Sequence, residues 1–144
     1  MGGHQIDWNA LFERASAARE NAYAPYSGFN VGAAVATETG EIFTGCNVEN
    51  SSFGLTICAE RVAVVAAVQA GFRNLVGVAI VAETDHPPPP CGACRQVLAE
   101  FNPGFVVRSG VVGGVQKEWS LAQLLPSPFV QAQRAKHSTW NILS

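Results

Sequence analysis

The sequence predicts an α/β protein, a three-layer α/β/α sandwich built around a mixed five-stranded sheet. Helical and strand patterns alternate along the chain, in the order helix, two strands, helix, strand, helix, strand, strand. Residues 59–70 are apolar on nearly every side, which is typical of a buried helix. Residues 75–82 form a continuous apolar run, which is typical of a central strand covered on both faces.

The first third of the chain predicts one helix followed by a β-hairpin. Residues 7–23 carry apolar side chains at helical spacing, with Asp7 suited to cap the helix. The segment 24–28 (APYSG) ends this helix. Residues 29–36 alternate with their odd-numbered side chains on one face, which predicts a strand. A Thr-Gly turn then leads into a second strand over 42–48.

The second half of the chain predicts the remaining helix and strands. A helix is expected over 91–101, where the sequence Asn102-Pro103-Gly104 closes it. Two further strands are predicted over 105–108 and 111–119. A short helical turn is expected over 121–125.

The length of 144 residues suits one domain with a core of its own. We see no internal repeat and no boundary, so we expect a single domain over 1–144 with its core at about 7–129. The polar tail, residues 130–144, is expected to be either a docked helix or a frayed end.

The composition limits the classes of partner. Hydrophobic residues make up 48% of the chain and charged residues only 14%. This balance predicts apolar surface in contact with another subunit, the alternative being a monomer with an unusually apolar surface. The formal net charge of −2 gives no sign of phosphate-backbone binding, so we expect no nucleic-acid partner.

No targeting or membrane segment is predicted. Residues 1–8 have neither a basic start nor an apolar stretch, so they do not resemble a secretory signal. The longest wholly apolar runs, 62–68 and 78–82, are too short to cross a bilayer, and we expect no membrane partner. A cytoplasmic protein is the expectation, with its four cysteines as reduced thiols or metal ligands.

Two short segments carry the chemistry, residues 58–60 (CAE) and 90–94 (PCGAC). Each places a thiol at the start of a predicted helix, where free N–H groups and the helix dipole favour a thiolate. A Cys-x-x-Cys pair alone serves redox exchange, structural zinc or catalytic zinc. The four prolines at 87–90 are expected to hold the backbone rigid where the second helix begins.

Together, Cys58, Cys91 and Cys94 predict a zinc site with one position open for water, as catalytic sites have. Three thiolates and Zn²⁺ sum to a net charge of −1, which calls for compensation. Arg61 and Arg95 each follow a ligand closely enough that we expect them to donate to its sulfur. The alternative is a closed structural site in which Cys46 is the fourth ligand.

Glu60 lies in the first turn of a helix otherwise made mostly of Val and Ala. A surface Glu–Arg pair at a helix start is one interpretation, although an apolar helix has little exposed surface for it. The other is a proton shuttle beside an activated water, as metal-assisted hydrolysis requires. We predict the catalytic role.

These motifs resemble the zinc nucleoside and nucleobase deaminases, whose signature is a zinc ligand, one residue, Glu, and later Pro-Cys-x-x-Cys. Nucleic-acid-editing members generally have His where Cys58 stands. All-cysteine ligation resembles the small cytidine deaminases that act on free nucleosides. Segments 29–34 and 45–50 are similar to substrate-binding segments of that family, and the resemblance covers roughly 7–129.

The resemblance implies a cytidine deaminase-like fold and specific substrate contacts. Asn47 and Glu49 would hydrogen-bond the ribose 3′-hydroxyl, and Phe29 would pack on the pyrimidine ring. Backbone groups around Ala59 and the side chain of Glu60 would recognise the edge of the base.

The resemblance also implies a homotetramer in which neighbouring subunits complete each active site. The residues that match the neighbour-supplied positions are Ser51, Phe53 and Phe129. Phe53 stands where the family commonly has Tyr, so any hydrogen bond from that hydroxyl is missing. The proline run and the tail beyond Phe129 are longer than the family pattern requires.

The implied activity is zinc-dependent hydrolytic deamination of cytidine and deoxycytidine to uridine and deoxyuridine, with release of ammonia, in pyrimidine salvage. One Zn²⁺ per chain is implied and no organic cofactor. Glu60 would take a proton from water, protonate N3 of the base and then protonate the departing amino group.

Three other functions stay open at this point. The first is deamination of a related cytosine nucleoside such as blasticidin S. The second is editing of nucleic acid, which predicts a basic stripe, whereas the nine Lys and Arg are scattered. The third is a non-catalytic zinc-stapled module or a thiol redox protein.

Overall fold

The structure, a computed structural model, describes residues 5–131. Most of the tail, from residue 132 onward, therefore lies outside the described residues. Within them the elements follow the predicted order: α1 Trp8–Arg19, β1 Val31–Thr37, β2 Ile42–Cys46, a 3₁₀ turn Phe53–Leu55, α2 Ala59–Gln69, β3 Leu75–Ala82, α3 Gly92–Phe101, β4 Val106–Val111, β5 Gln116–Ser120 and α4 Leu121–Leu124.

The strands form one mixed five-stranded sheet, as predicted, and their order in it is β2-β1-β3-β4-β5. β1 pairs antiparallel with both β2 and β3, with Val35 opposite Phe43 on one side and Val78 on the other. β3 and β4 are parallel, and β5 returns antiparallel to β4. The parallel pair requires a crossover connection, which α3 provides.

Helices cover both faces of the sheet, which confirms the three-layer architecture. On one face α1 packs through Leu11 and Ala15 against small side chains of β1 and β3. On the other face α2, α3 and α4 pack on a larger apolar cluster that includes the odd-numbered residues Val31, Ala33 and Val35 of β1. The predicted alternation of β1 is therefore confirmed, but both faces of this strand are buried.

The hairpin strands begin and end differently from the prediction because Asn47 intervenes. β1 begins at Val31 and not at residue 29. The side chain of Asn47 accepts a hydrogen bond from the Val31 N–H (2.9 Å) and donates to the Phe29 carbonyl (2.7 Å). These bonds replace the backbone ladder that a longer pair of strands would have formed.

The turn between the last two strands also lies elsewhere than predicted. β4 continues through Ser109 and Gly110 to Val111, and the turn that follows contains Gly113 at φ 65°. Gly110 lies in the strand, where a Cβ would come within 2.9 Å of the Phe12 ring. Ser109 and Gly110 therefore do not form the turn; they lie in β4, where the glycine lets the Phe12 ring of α1 pack closely.

Two glycines let helices approach the sheet closely. A Cβ on Gly32 would lie 1.9 Å from the carbonyl oxygen of Ala15 in α1. A Cβ on Gly45 would lie 2.5 Å from the carbonyl oxygen of Ala59 in α2. Gly45 thus fixes the height at which the first turn of α2 sits above β2.

Among residues 5–131, no helix has the length and apolarity needed to cross a membrane.

Candidate metal centre and substrate cavity

The three predicted cysteine ligands meet at the N-termini of two helices. Cys58 caps α2 and Cys91 caps α3, while Cys94 lies in the first turn of α3. Neither cap sulfur bonds to the helix backbone, so both are available as ligands. The positive ends of both helix dipoles face the cluster and favour thiolates there.

The sulfur positions fit a zinc ion. The three sulfurs lie within 4.8 Å of one another, and the Cys58 and Cys91 sulfurs are 3.7 Å apart. A tetrahedral zinc with Zn–S bonds of about 2.3 Å separates its sulfurs by about 3.8 Å. Among the described residues this cluster has three members, and Cys46, which lies within β2, is not one of them.

Arg61 contacts the cluster as predicted. Its guanidinium donates to the Cys58 sulfur at 3.6 Å and to the Thr56 carbonyl at 3.3 Å. A hydrogen bond from the Cys94 thiol, followed by one from Arg61, lowers the pKa of Cys58 to about 5, against the opposing effect of burial. The Arg61 guanidinium therefore favours the thiolate form of Cys58.

Arg95 is placed differently from the prediction. Its guanidinium donates to the Pro90 carbonyl at 2.7 Å and to the Leu124 carbonyl at 2.9 Å, and not to a sulfur. The side chain leaves α3 toward α4, so it ties the end of the proline run to the C-terminal end of α4. Its contribution in this structure is to the position of the loop that carries Cys91.

Glu60 is buried beside the sulfurs. Only 5% of the residue is exposed, so it does not form a surface ion pair. Burial, and secondarily the charge on Cys58, raises the pKa of Glu60 to about 7. A hydrogen bond from its own backbone N–H, and a smaller effect of one with Cys94, partly oppose this rise. A carboxyl with a pKa near neutrality both accepts and donates protons readily.

A cavity of about 350 Å³ opens beside the cluster. Its volume falls within the range of small-molecule sites. Seven of the predicted site residues line it: Phe29, Asn47, Glu49, Cys58, Ala59, Glu60 and Cys91.

The polar end of the cavity is formed by Asn47 and Glu49. Asn47 is 7% exposed and is held through the Phe29 and Val31 backbone. Glu49 accepts hydrogen bonds from the backbone N–H groups of Tyr26 (2.9 Å) and Ser27 (3.1 Å). A hydrogen bond from the Ser27 hydroxyl is the largest cause that lowers the pKa of Glu49, and the two backbone bonds add to it. Glu49 is therefore an ionised acceptor at the rim.

Comparison with known proteins assigns the family. The family model for the cytidine and deoxycytidylate deaminase zinc-binding region matches residues 7–109. The chain belongs to this family. The match confirms the predicted family and, together with the sulfur cluster, the predicted zinc cofactor.

Individual members of the family are similar over most of the chain. A cytidine deaminase of Halalkalibacterium halodurans is 47% identical over 125 residues, which cover 86% of this chain and 95% of that protein. One from Sporosarcina psychrophila is 47% identical, with coverage of 86% and 92%. The crystal structure of a Burkholderia pseudomallei cytidine deaminase is 49% identical, covers 86% of this chain and 100% of that one, and superimposes with a TM-score of 0.83.

The three residues predicted to reach a neighbouring subunit's site lie outside the cavity of their own chain. Ser51, Phe53 and Phe129 do not line it, and the last two are 74% and 72% exposed. Phe53 contacts the edge of the Tyr26 ring, with centroids 5.8 Å apart. The Gln96 side chain donates to the Phe129 carbonyl (2.9 Å) and accepts from the Phe129 N–H (3.1 Å), so this exposed residue has a fixed backbone.

Several cavity residues were missed from the sequence. Pro88 and Pro89 form part of the wall, so the proline run shapes the cavity in addition to stiffening the approach to Cys91. The sequence feature that could have indicated this role is their position just before Cys91, a predicted zinc ligand. Ser27 and Thr56 also line the cavity, and only the fold brings them there.

Proposed function

We propose that this protein catalyses the hydrolytic deamination of cytidine and deoxycytidine to uridine and deoxyuridine, with release of ammonia. The buried carboxyl of Glu60 beside three clustered sulfurs, at the floor of a nucleoside-sized cavity, carries this proposal. The named relatives are cytidine deaminases over nearly their whole length, which supports the same activity here.

Cys58, Cys91 and Cys94 would hold one Zn²⁺ per chain. The bound ion supplies a Lewis acid that activates water for hydrolysis at neutral pH. Glu60 would move two protons. It takes one from the attacking water and delivers it to N3 of cytosine. It then takes the proton of the new C4 hydroxyl and delivers it to the departing amino group, which leaves as ammonia while the C4 carbonyl forms. Burial raises the pKa of the Glu60 carboxyl, which favours its role as the donor in the delivery steps.

The remaining cavity residues bind and orient the substrate. Phe29 packs against the pyrimidine ring, and backbone groups around Ala59 with the carboxyl of Glu60 recognise the edge of the base. Asn47 and Glu49 bind the sugar 3′-hydroxyl. Asn47 retains one amide hydrogen and Glu49 one acceptor position after their bonds within the protein, which suits them to pair with one hydroxyl.

A comparison of substrates tests the activity directly. Purified protein with stoichiometric zinc is assayed with cytidine, deoxycytidine and blasticidin S, and ammonia release is measured. We expect turnover of both nucleosides, with blasticidin S inactive or far slower. Turnover of blasticidin S alone, or of none of the three, would contradict the proposal.

Arg61 is expected to support zinc binding and Arg95 the fold. Arg61→Gln removes the donor to the Cys58 sulfur, so the zinc dissociation constant should rise about tenfold, as for other partners of metal ligands. Arg95→Gln removes donors to two carbonyls and should lower thermal stability with less effect on zinc. Competition with a chromogenic chelator and thermal unfolding measure the two effects. Equal zinc affinities in the two variants would refute the distinction.

We also propose a homotetramer in the cytoplasm that serves pyrimidine salvage. Exposed aromatic side chains, including Phe53 and Phe129, support burial against neighbouring subunits, which would also supply Ser51. A reducing compartment would keep the sulfur cluster available for zinc.

The proposed assembly makes Phe129 a residue of the neighbour's site. Phe129→Ala should raise KM for cytidine several-fold and weaken the tetramer, because it removes the ring that is proposed to pack against the neighbouring subunit. Light scattering over a dilution series measures the mass, which should equal about four chains for the unaltered protein. A single-chain mass with full activity would exclude the assembly.

A further inference from the structure

Glu49, the proposed sugar ligand, does not stand free at the rim of the cavity. Its Oε1 accepts hydrogen bonds from the backbone N–H groups of Tyr26 (2.9 Å) and Ser27 (3.1 Å). Its Oε2 accepts a hydrogen bond from the Ser27 hydroxyl. Residues more than twenty positions earlier in the chain therefore decide how this carboxylate is oriented.

These bonds leave Glu49 little freedom toward a ligand. A carboxylate offers about four acceptor positions, two on each oxygen. Both positions on Oε1 are used by backbone N–H groups, and Ser27 uses one on Oε2. The position that remains is on Oε2, next to the serine hydroxyl. A ligand hydroxyl must donate there, along a direction that the serine fixes.

Ser27 also connects Glu49 to the aromatic wall. Its only hydrogen is donated to Glu49, and its oxygen accepts a hydrogen bond from the Phe29 N–H at 3.0 Å. One short side chain thus touches the acid at the sugar end and the backbone of the residue at the base end. Ser27 itself lines the cavity.

We propose that Ser27 is a positioning residue for nucleoside binding, which orients the Glu49 carboxylate so that its remaining acceptor position faces the sugar hydroxyl. This inference rests on the proposed function of the cavity. The serine also keeps Glu49 an acceptor, because its hydrogen bond is the largest cause of the lowered pKa of that carboxyl.

The loop also has hydrogen bonds that do not involve the Ser27 hydroxyl, so we expect it to keep its conformation when the hydroxyl is removed. The Gly28 N–H donates to the Ala24 carbonyl at 2.9 Å, and the backbone bonds from Tyr26 and Ser27 to Glu49 do not involve the serine side chain. Ser27→Ala therefore removes the hydroxyl's hydrogen bond to Glu49 and the acceptor of the Phe29 N–H. Phe29 stays held by the Asn47 amide, which donates to its carbonyl at 2.7 Å. Ser27→Thr keeps the hydroxyl, and the exposure of Ser27 leaves room for the added methyl.

The experiment compares cytidine with 3′-deoxycytidine, which lacks only the hydroxyl in question. Ser27→Ala should raise KM for cytidine about tenfold, the order expected for a hydrogen bond to a charged group, with kcat little changed. For 3′-deoxycytidine, the KM of the Ser27→Ala variant should equal that of the unaltered enzyme. Ser27→Thr should restore KM for cytidine, and Ser16→Ala, on the exposed side of α1, should leave both substrates unaffected.

A double-mutant comparison separates orientation from loop damage. In a Glu49→Gln background, Ser27→Ala should cause little further loss, because the carboxylate it orients is gone. Equal losses on both substrates, or no change in KM for cytidine, would overturn the role of Ser27 while cytidine deamination by the unaltered enzyme stands. An unaltered enzyme that does not turn over cytidine would instead refute the proposed function.

Discussion

Glu60→Gln is expected to lower kcat for cytidine by about a thousandfold while zinc stays bound at one ion per chain. The amide has the shape of the carboxyl and fits the same buried position in the first turn of α2. It accepts no proton from water and has none to deliver to N3 or the leaving amino group. Steady-state kinetics on cytidine and metal analysis of the same preparation measure both quantities.

The matched control is Glu118→Gln. Glu118 pairs with Arg108 on the exposed last strand of the sheet, far along the chain from the cluster. Its replacement should leave kcat within about twofold, because a surface ion pair contributes roughly 1 kcal/mol or less. A Glu60→Gln variant with kcat similar to that of the control would show that another group moves the protons.

The fold and the sulfur cluster were predictable because their signals are local. The apolar run at β3 and the apolar helix α2 are read from neighbouring residues, and both were found within one residue of the predicted bounds. Each cysteine ligand sits at a helix start marked in sequence by its own motif. The remaining requirement is that the N-termini of α2 and α3 meet. They can do so because both helices pack on the same face of the sheet.

The sequence did not reveal contacts that depend on side-chain direction. Arg61 and Arg95 occupy comparable places after a ligand, yet one reaches a sulfur and the other reaches the carbonyl of Leu124, 29 residues away. The bond from Ser27 to Glu49 joins two loops 22 residues apart. No periodicity encodes such pairs, because they follow from how the hairpin and the loop after α1 meet.

Close packing of α2 on β2 links the fold to the cluster. Gly45 leaves space for the carbonyl of Ala59, and the same segment continues into Asn47 and Glu49 at the cavity. The helix that carries Cys58 and Glu60 and the loop that carries Asn47 and Glu49 are therefore positioned by one strand. A shift in this strand would move Cys58 and the polar end of the cavity together.

Cys91→Ala is expected to lose zinc almost completely and to lower the thermal midpoint of unfolding. Removing one of three sulfurs leaves two ligands, and the binding free energy of the ion contributes to folding. Each kcal/mol of unfolding free energy that is lost lowers the thermal midpoint by about 2–4 °C in a chain of this size. We therefore expect the midpoint of Cys91→Ala to fall by more than about 4 °C. Metal analysis and thermal unfolding with and without added zinc measure the two effects.

Cys46→Ala is the control that distinguishes an open three-sulfur site from a closed four-sulfur one. Cys46 lies in β2 opposite Gly32, outside the cluster, so its replacement should keep zinc at one ion per chain. Added zinc should raise the thermal midpoint of metal-depleted Cys46→Ala but not of Cys91→Ala, because only the former retains all three ligands. If Cys46→Ala lost zinc as completely as Cys91→Ala, four sulfurs would enclose the ion, and no position would be left for water beside Glu60.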